Sequence, residues 1–420
     1  MTLPRTFLLT FAVTAMLARQ AIADDWQYYQ HDSAHTGDSS AFVNPQALSL
    51  AWSASSSPTG YSTPLIVGNT VYAMQNPAGT ANPATISSFD LANGAIKWSY
   101  TGSFTFPSQE AVGGGFVVFH GGISGGGQLF VLDAITGALR YTVPMPGGIY
   151  AMPTIVTNPV TGTTVAYCTD GNTLRAVQLG NTSGTVLWTQ TGALGSQSGI
   201  PTIVGNSVVL IGGDDYYAFD QTTGAANHFH NGTTCCGAGS TAVYDASRNE
   251  LYVLSYYTGQ ESSHTLSAYH YTSNNDISLL WQRTGSFGDA VAIGPTGNVY
   301  CIGNGDSQLW ELDPVTGNTM RFISGSFQGA PSLSDGVLWI RSGNQVQTYD
   351  LLTLQLLRSF NGHSTGSSIG AISDGHFLLD YGITFGGHGF DVYAGPVPEP
   401  TVMVLLAIGG IALISSQRKR

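Results

Sequence analysis

A short phrase recurs along almost the whole chain at intervals of about 40 residues. It consists of an apolar residue, Asp, two or three residues, Gly and then an aromatic residue, as in FDLANGAIKW, LDAITGALRY and LDPVTGNTMRF. The positions that correspond to the Asp are Asp90, Asp133, Gln178, Asp220, His270, Asp313, Asp350 and Asp391. A period of this length, built from short strands, is typical of the blades of a β-propeller.

Each part of the phrase has a physical role in a strand–turn–strand unit. Asp at the end of a strand can accept hydrogen bonds from backbone N–H groups of the turn, and Gly supplies the positive φ that reverses the hairpin. The clearest pairs are Asp90 with Gly94, Asp133 with Gly137, Asp220 with Gly224, and Asp313 with Gly317. An inner pair of strands precedes most copies, as in PTIVGNSVVLI, so each period predicts four antiparallel strands.

The two ends of the repeat complement each other. The last unit, residues 370–395, lacks a closing aromatic strand, whereas LSLAWSAS around Trp52 is a strand without a repeat of its own. We predict that this N-terminal strand completes the last blade, because that closure removes open sheet edges. The count is then eight blades; seven is the alternative if the irregular stretch 241–284 is an insertion. Equivalent outer-strand tryptophans are predicted to pack between neighbouring blades: Trp52, Trp98, Trp188 and Trp281.

Composition agrees with an all-β chain and excludes one class of partner. The chain has 54 glycines and only 9% charged residues, which suits many short strands and tight turns. Residues 24–396 carry 16 more acidic than basic side chains. Nucleic acid is therefore excluded as a partner, because there is no basic stripe to neutralise phosphates.

The two termini read as targeting segments. Residues 1–23 combine Arg5, an apolar stretch and a small-residue cleavage site, which predicts a secretory signal peptide. Residues 24–396 form the predicted propeller, and residues 397–420 a separate C-terminal segment. The apolar run 401–416 would make a helix of roughly 24 Å, short of the ~30 Å hydrocarbon core. Three terminal cations would keep its end in the cytoplasm.

The repeats resemble those of the quinoprotein-like β-propeller family, which read much like LYALDATTGKVLW. The phrase Asp-x-x-Thr-Gly stands plainly at Asp133, Asp220 and Asp313. The stretch DWQYYQHDSAHTG, which includes Trp26 to Gly37, is similar to the lead-in of secreted members. We expect the side chain of Trp26 to be exposed.

The C-terminal segment resembles a PEP-CTERM sorting signal, with Val397, Pro398, Glu399 and Pro400 ahead of the short helix. This resemblance implies processing by an exosortase in a Gram-negative bacterium that makes exopolysaccharide. It also implies export and a cytoplasmic-membrane helix that is at least transient; a permanent C-terminal anchor is the alternative. A polysaccharide or a surface protein is then the expected partner.

The quinoprotein-like family includes dehydrogenases that hold pyrroloquinoline quinone and calcium. Adjacent Cys235 and Cys236 are reminiscent of the vicinal cystine ring of those enzymes, but here the pair lies past the middle of the chain. No set of Glu, Asn and Asp ligands can be assigned. The two cysteines could form a disulfide with each other, or separately with Cys168 and Cys301.

Two further groups offer metal chemistry. His228 and His230 are two residues apart and precede the cysteine pair, yet adjacent cysteines cannot easily both reach one tetrahedral zinc ion. Asp214 and Asp215 lack the spaced acidic loop of a calcium site and are read as turn residues. The sequence therefore predicts no cofactor, no metal ligand and no catalytic residue.

The resulting hypothesis is a noncatalytic binding propeller of the cell surface or extracellular matrix. The alternatives are an enzyme that resembles quinone-dependent dehydrogenases, and a scaffold for envelope assembly. The scaffold is disfavoured because no lipobox cysteine stands near the predicted cleavage site.

Overall fold

Eight antiparallel sheets follow one another along the described part of the chain, and each is one propeller blade. The computed structural model describes residues 25–56, 61–75, 83–102, 104, 108–123, 126–147, 151–171, 173–191, 199–212, 215–231, 241–257, 260–285, 287, 290–303, 307–361, 368–380 and 388–397. Seven of the sheets have four strands, and the seventh blade gains a fifth.

Strands are numbered in chain order. Before the first blade come β1 (Asp38–Ser39), the 3-10 helix Pro45–Ala47 and β2 (Ser49–Ser56). Blades 1 and 2 contain β3 (Leu65–Val67), β4 (Thr70–Gln75), β5 (Ala84–Asp90), β6 (Ile96–Gly102), β7 (Ala111–Gly113), β8 (Phe116–Ile123), β9 (Gly126–Asp133) and β10 (Leu139–Met145). Blades 3 and 4 contain β11 (Thr154–Thr157), β12 (Thr164–Asp170), β13 (Thr173–Leu179), β14 (Gly184–Thr191), β15 (Thr202–Val204), β16 (Ser207–Gly212), β17 (Asp215–Asp220) and β18 (Ala226–Asn231).

The second half of the ring repeats this plan. Blades 5 and 6 contain β19 (Ala242–Asp245), β20 (Glu250–Tyr257), β21 (Gln260–Ser273), β22 (Asp276–Gly285), β23 (Ala292–Ile293), β24 (Val299–Ile302), β25 (Leu309–Leu312) and β26 (Thr319–Ile323). Blades 7 and 8 contain β27 (Phe327–Ser334), β28 (Val337–Ser342), β29 (Gln345–Asp350), β30 (Leu356–Asn361), β31 (Ser368–Ser373), β32 (His376–Asp380) and β33 (His388–Ala394). In every blade the first strand is the innermost.

Blade 8 is completed by the N-terminal strand. The order of its strands is β2-β33-β32-β31, and β2 runs antiparallel to β33 with Trp52 opposite Val392. The predicted closure is therefore confirmed. The stretch 241–284 forms blade 5 rather than an insertion, so the alternative of seven blades is wrong.

The four outer-strand tryptophans link each of their blades to the next, as predicted. Each indole N–H donates to a backbone carbonyl in the outer turn of the following blade: Trp52 to Leu91 at 2.9 Å, Trp98 to Ala134 at 3.0 Å, Trp188 to Gln221 at 2.9 Å and Trp281 to Pro314 at 2.7 Å. A large aromatic ring at this position buries apolar area and satisfies a carbonyl at the same time.

Other donors take the same role in the four remaining blades. The bonds are Tyr141 Oη to Gly180 O at 3.0 Å, Asn227 Nδ2 to Asn274 O at 2.7 Å, Arg321 Nη2 to Leu351 O at 3.1 Å and Arg358 Nη1 to Leu48 O at 2.6 Å. The outermost strand of every blade therefore bonds to its neighbour, and the ring is held by eight equivalent contacts among the described residues.

Residues 25–43, here called the strap, run once around the propeller axis. The strap bonds in turn to Ile66, Val112, Ile155, Ile203, Tyr244, Ile293, Leu333 and Gly375, one residue from each blade. All but the last belong to innermost strands, and β1 of the strap pairs in parallel with β27. We call the end of the propeller that carries the strap and the tight hairpin turns the turn face.

The expectation that Trp26 is exposed is wrong. Trp26 is only 2% exposed, and its backbone forms a two-way bridge with Ile66 at 2.7 and 3.1 Å. Its ring lies 5.1 Å from that of His31. The residue is buried because the lead-in lines the inner wall of the ring instead of trailing from it.

Several predicted features fall outside the described residues. They are the signal peptide, Asp24, and the tail from Pro398 to Arg420 with its helix. Val397 is described: it is half-exposed and lies beside Gly375, so the chain leaves blade 8 on the turn face. Within the described ranges, no helix is long and apolar enough to cross a membrane.

Candidate functional site

The Asp and Gly residues of the clearest copies of the repeated phrase lie in the outer hairpin turns of the turn face. Asp391, which was aligned with them, instead lies inside β33, where it accepts a hydrogen bond from Ser53 of β2. Asp133 Oδ1 accepts hydrogen bonds from the backbone N–H groups of Ile135 and Thr136 at 2.9 and 2.8 Å. Asp220 and Asp313 make the same pair of bonds with their own turns. Asp90 accepts one such bond and also faces Lys97 at 3.5 Å.

Hydrogen bonds within the turns lower the pKa of Asp133, Asp220 and Asp313 and so favour their charged forms. The guanidinium of Arg140 and the N–H of Thr136 lower the pKa of Asp133 to about 2. The glycines take positive φ values of 73° at Gly94, 70° at Gly137, 71° at Gly224 and 70° at Gly317. An added Cβ at each would meet a tryptophan of the preceding blade. The Asp and Gly residues of the phrase thus stabilise the turns and the contacts between blades. Residues that bind a ligand have to be sought at other positions.

The cysteine pair and its neighbours do not assemble into a site within the described part. Cys235, Cys236 and Asp214 lie outside the described residues. Cys168 is a free, buried thiol on β12, and Cys301 is buried on β24, three blades further on. On β18, His228 is exposed and its ring stacks on Tyr217 with 4.8 Å between centroids.

A buried carboxyl group lies just before the innermost strand of blade 2, at the N-terminal end that we call the head of the strand. Glu110 is fully buried, and Ser62 Oγ donates a hydrogen bond to its Oε2 at 2.9 Å. Burial raises the pKa of Glu110 from its ordinary 4.5 to about 7, because removing water disfavours the charged form. The side chain is therefore neutral below pH 7 and can itself donate a hydrogen bond.

The corresponding position of other blades shows how unusual this carboxyl is. Blades 1, 3, 4 and 7 carry a proline there: Pro64, Pro153, Pro201 and Pro331. Glu110 could have been found from the sequence, because alignment of the repeats shows a glutamate in a column where half of the blades have proline.

His120 is a second buried titratable group on blade 2. Its Nδ1 lies 3.0 Å from the carbonyl oxygen of Ala151, and burial lowers the pKa of the imidazole to about 4. Ala151 precedes blade 3, whereas Ser62, the partner of Glu110, precedes blade 1. Ser62 and Glu110 therefore meet on the side of blade 2 that faces blade 1, whereas His120 faces blade 3. The three groups do not form a catalytic triad.

Replacing Glu110 with Gln is expected to stabilise the protein more at pH 8 than at pH 4.5. Below the unfolded pKa of 4.5 both states are protonated, and the buried neutral acid costs little. As pH rises towards 7, only the unfolded state ionises, so wild-type stability falls by up to about 3 kcal/mol. Gln keeps the hydrogen bond to Ser62 without this loss.

Denaturant unfolding of wild type and Glu110→Gln at the two pH values measures the effect. A difference in unfolding free energy that is the same at pH 4.5 and pH 8 would show that the carboxyl is not kept neutral by burial.

The architecture and repeat pattern described above match a known family. A family model described as outer membrane protein assembly factor BamB matches residues 36–148 and 151–355, about three quarters of the chain. The chain belongs to this family. Among curated proteins, no sequence matches the chain.

Several solved structures share the fold of this chain at low sequence identity. BamB from Moraxella catarrhalis is 15% identical with a TM-score of 0.57, covering 83% of this chain and 99% of that one. A europium-containing methanol dehydrogenase is 12% identical with a TM-score of 0.50, covering 91% and 100%. A computationally designed protein, Ika8, is 14% identical with a TM-score of 0.58, covering 82% and 99%. At these identities the likeness shows the fold alone.

The quinone and calcium that the quinoprotein-like resemblance implies do not fit the described residues around the axis. Such a pair needs polar ligands from several blades, but the equivalent positions at the start of the innermost strands carry Pro64, Glu110, Pro153, Pro201, Ala242, Val291, Pro331 and Gly370. In the described ranges, no group of three or more His, Cys, Asp or Glu side chains could hold a metal ion.

The strap occupies the axis from the turn face. His35 is fully buried, and its ring nitrogens lie 2.8 Å from Tyr29 O and 3.2 Å from Pro201 O. Gln30 Nε2 donates to Val291 O at 3.0 Å. These bonds tie the middle of the strap to blades 4 and 6, so the interior of the ring at this level is part of the structural core.

Proposed function

We propose that this chain is an exported, noncatalytic binding propeller that acts at the cell surface or in the extracellular matrix. The observation that carries the proposal is the hydrogen-bonded strap, whose His35 and Gln30 side chains occupy the axis. With its centre used for stability, the molecule offers its two faces and its rim as rigid surfaces. Rigid frames suit recognition because little order is lost on binding.

A polysaccharide or a surface protein is the proposed partner. The test is sedimentation of the purified full-length chain with exopolysaccharide from the native host, with outer-membrane vesicles from a polysaccharide-deficient strain as the second arm. Association with either material is expected, without oxidation of alcohols or aldoses when quinone and calcium are added. Quinone-dependent turnover would overturn the noncatalytic assignment.

The C-terminal tail is proposed to be an exosortase signal that is removed in the native host. The chain leaves the propeller at Val397, where blade 8 has already been completed by β2, so removal of the tail breaks no described strand pairing. Intact-mass analysis of surface protein is expected to show a chain that ends near Pro400. Full-length chains ending at Arg420 in exosortase-positive cells would favour a permanent anchor instead.

A scaffold for envelope assembly is the second candidate. The family match over three quarters of the chain and the fold shared with BamB of Moraxella catarrhalis favour it. The two candidates differ in what a gene deletion changes in the host. If the chain is a scaffold, the deletion is expected to lower the amount of outer-membrane protein; if it is a surface binder, that amount stays unchanged and the matrix is altered.

A further inference from the structure

A cleft opens on the turn face between the strap and blades 2 and 3. Its volume is about 490 Å³, within the range of small-molecule sites. Gln27, Asp32 and Ser33 of the strap form one wall, and Ile155 to Thr157 at the end of β11 form the other. Neither the repeated phrase nor the axial residues Gln30 and His35 line this cleft. It is therefore a candidate ligand site distinct from both.

Charge excludes anions from this cleft. Its lining includes the carboxylates of Asp25 and Asp32, with the ring of His31 3.9 Å from Asp32 Oδ2, and no Lys or Arg side chain. Asp25 Oδ1 accepts a bond from the N–H of Gly68 at 2.7 Å, and Asp32 Oδ1 accepts bonds from Ala34 and Thr36 at 3.0 Å each. Both carboxylates are thus fixed by the backbone and keep further lone pairs for a ligand.

The remaining polar groups distinguish a hydroxyl-rich ligand from a cation. The amide of Gln27 and the hydroxyls of Ser33 and Thr157 can each donate as well as accept. A ligand hydroxyl satisfies both kinds of group because it also donates and accepts. An ammonium ion offers donors only, so it can bond the carboxylates but gives no acceptor to the hydroxyl of Ser33 or to the second amide hydrogen of Gln27. The other donors already have protein partners: the Gln27 amide donates to Asp25 Oδ2 at 3.4 Å, and the hydroxyl of Thr157 pairs with that of Thr164 at 3.1 Å.

One side of the cleft is apolar. The backbone near Gly114 and the half-buried Val156 form this side. Ile155 is only 1% exposed and belongs to the core beneath it, where the hydroxyl of Tyr28 donates to its carbonyl. A pyranose ring has the matching character, with hydroxyls at its edge and C–H groups on its face. This lining therefore fits a sugar better than a uniformly polar or charged ligand.

We infer that the cleft binds a neutral saccharide unit, with Gln27, Ser33, Thr157 and the two carboxylates bonding its hydroxyls and Val156 contacting its C–H face. This inference rests on the proposed binding function and specifies its ligand class. It places recognition on the turn face, away from the heads of the innermost strands.

The test uses the full-length chain, a printed array of neutral oligosaccharides containing glucose, galactose, mannose and N-acetylglucosamine, and a titration with lysine methyl ester. Thr157→Trp fills the cleft from an exposed position, and Ser33→Tyr fills it from the strap. Val160→Trp is the matched control, because Val160 lies on the same β11–β12 turn, is 92% exposed and does not line the cleft.

Wild type is expected to bind at least one oligosaccharide, with affinity reduced tenfold or more in Thr157→Trp and Ser33→Tyr and within twofold in Val160→Trp. Saccharide binding that survives both filling variants, folded by their melting curves, overturns the cleft as the site and leaves the binding function standing. Binding of lysine methyl ester without any saccharide overturns the ligand class. Binding of neither probe overturns the inference, while the sedimentation experiment judges the proposed function separately.

Discussion

A chain that lacks residues 24–56 is expected to lose cooperative folding altogether. The deletion removes the strap, which bonds to all eight blades, and β2, which supplies the outer strand of blade 8. It also removes Trp52, whose indole bonds to the turn of blade 1. What remains has an open three-stranded blade at one end and an unlined axis, so exposed edges and apolar surface replace the closed ring.

Thermal unfolding followed by far- and near-ultraviolet circular dichroism measures this effect. A chain shortened instead at Val397 is the control, because it keeps the strap and every described strand. The control is expected to melt as the full chain does. If the chain without residues 24–56 also shows a single sharp transition at the wild-type temperature, closure by the N-terminus does not stabilise the propeller.

Replacing Gly317 with Ala is expected to destabilise the protein by about 2–5 kcal/mol. Gly317 has a φ of 70°, where a side chain costs about 1–2 kcal/mol. An added Cβ would also lie 2.6 Å from the Trp281 ring, which must then shift and lose its packing and its bond to Pro314. Overpacking of this kind typically costs a further 1–3 kcal/mol.

Gly336→Ala separates the two costs. Gly336 has a similar φ of 81°, but an added Cβ there would have no atom within 4 Å. Its loss of unfolding free energy should therefore be only the backbone part, about 1–2 kcal/mol. Denaturant unfolding of both variants measures the difference. Equal losses in the two variants would mean that the tryptophan–glycine contact between blades contributes nothing beyond the turn.

Features that repeat along the chain could be predicted from sequence, and features that occur once could not. The Asp–Gly phrase and the orphan strand around Trp52 led to eight blades and to closure by the N-terminus. The blade contacts made by Arg321, Arg358 and Asn227 were missed, because charged and amide side chains replace the aromatic that marks the position elsewhere. Their shared role is visible only from the carbonyl that each one reaches.

The strap shows a second limit. It has no repeat of its own, and its polar residues give the pattern of a surface segment, so nothing in the sequence marks Trp26 as buried. Its burial depends on innermost strands that arrive from every part of the chain. Glu110 lies between these extremes, since the repeat defines its position but only the structure shows that Ser62 and complete burial keep its carboxyl neutral.

The pairing of β2 with β33 also determines when the protein can finish folding. Ser53 and Asp391, which are hydrogen-bonded across this pair, are 338 positions apart. If the chain folds as it emerges at roughly 5–20 residues per second, β33 follows β2 by on the order of 20–70 s. Until β33 emerges, blade 8 cannot form and the ring stays open. The last strand of the propeller to be synthesised is thus the partner that β2 requires. A chain that ends before β33 cannot close the ring.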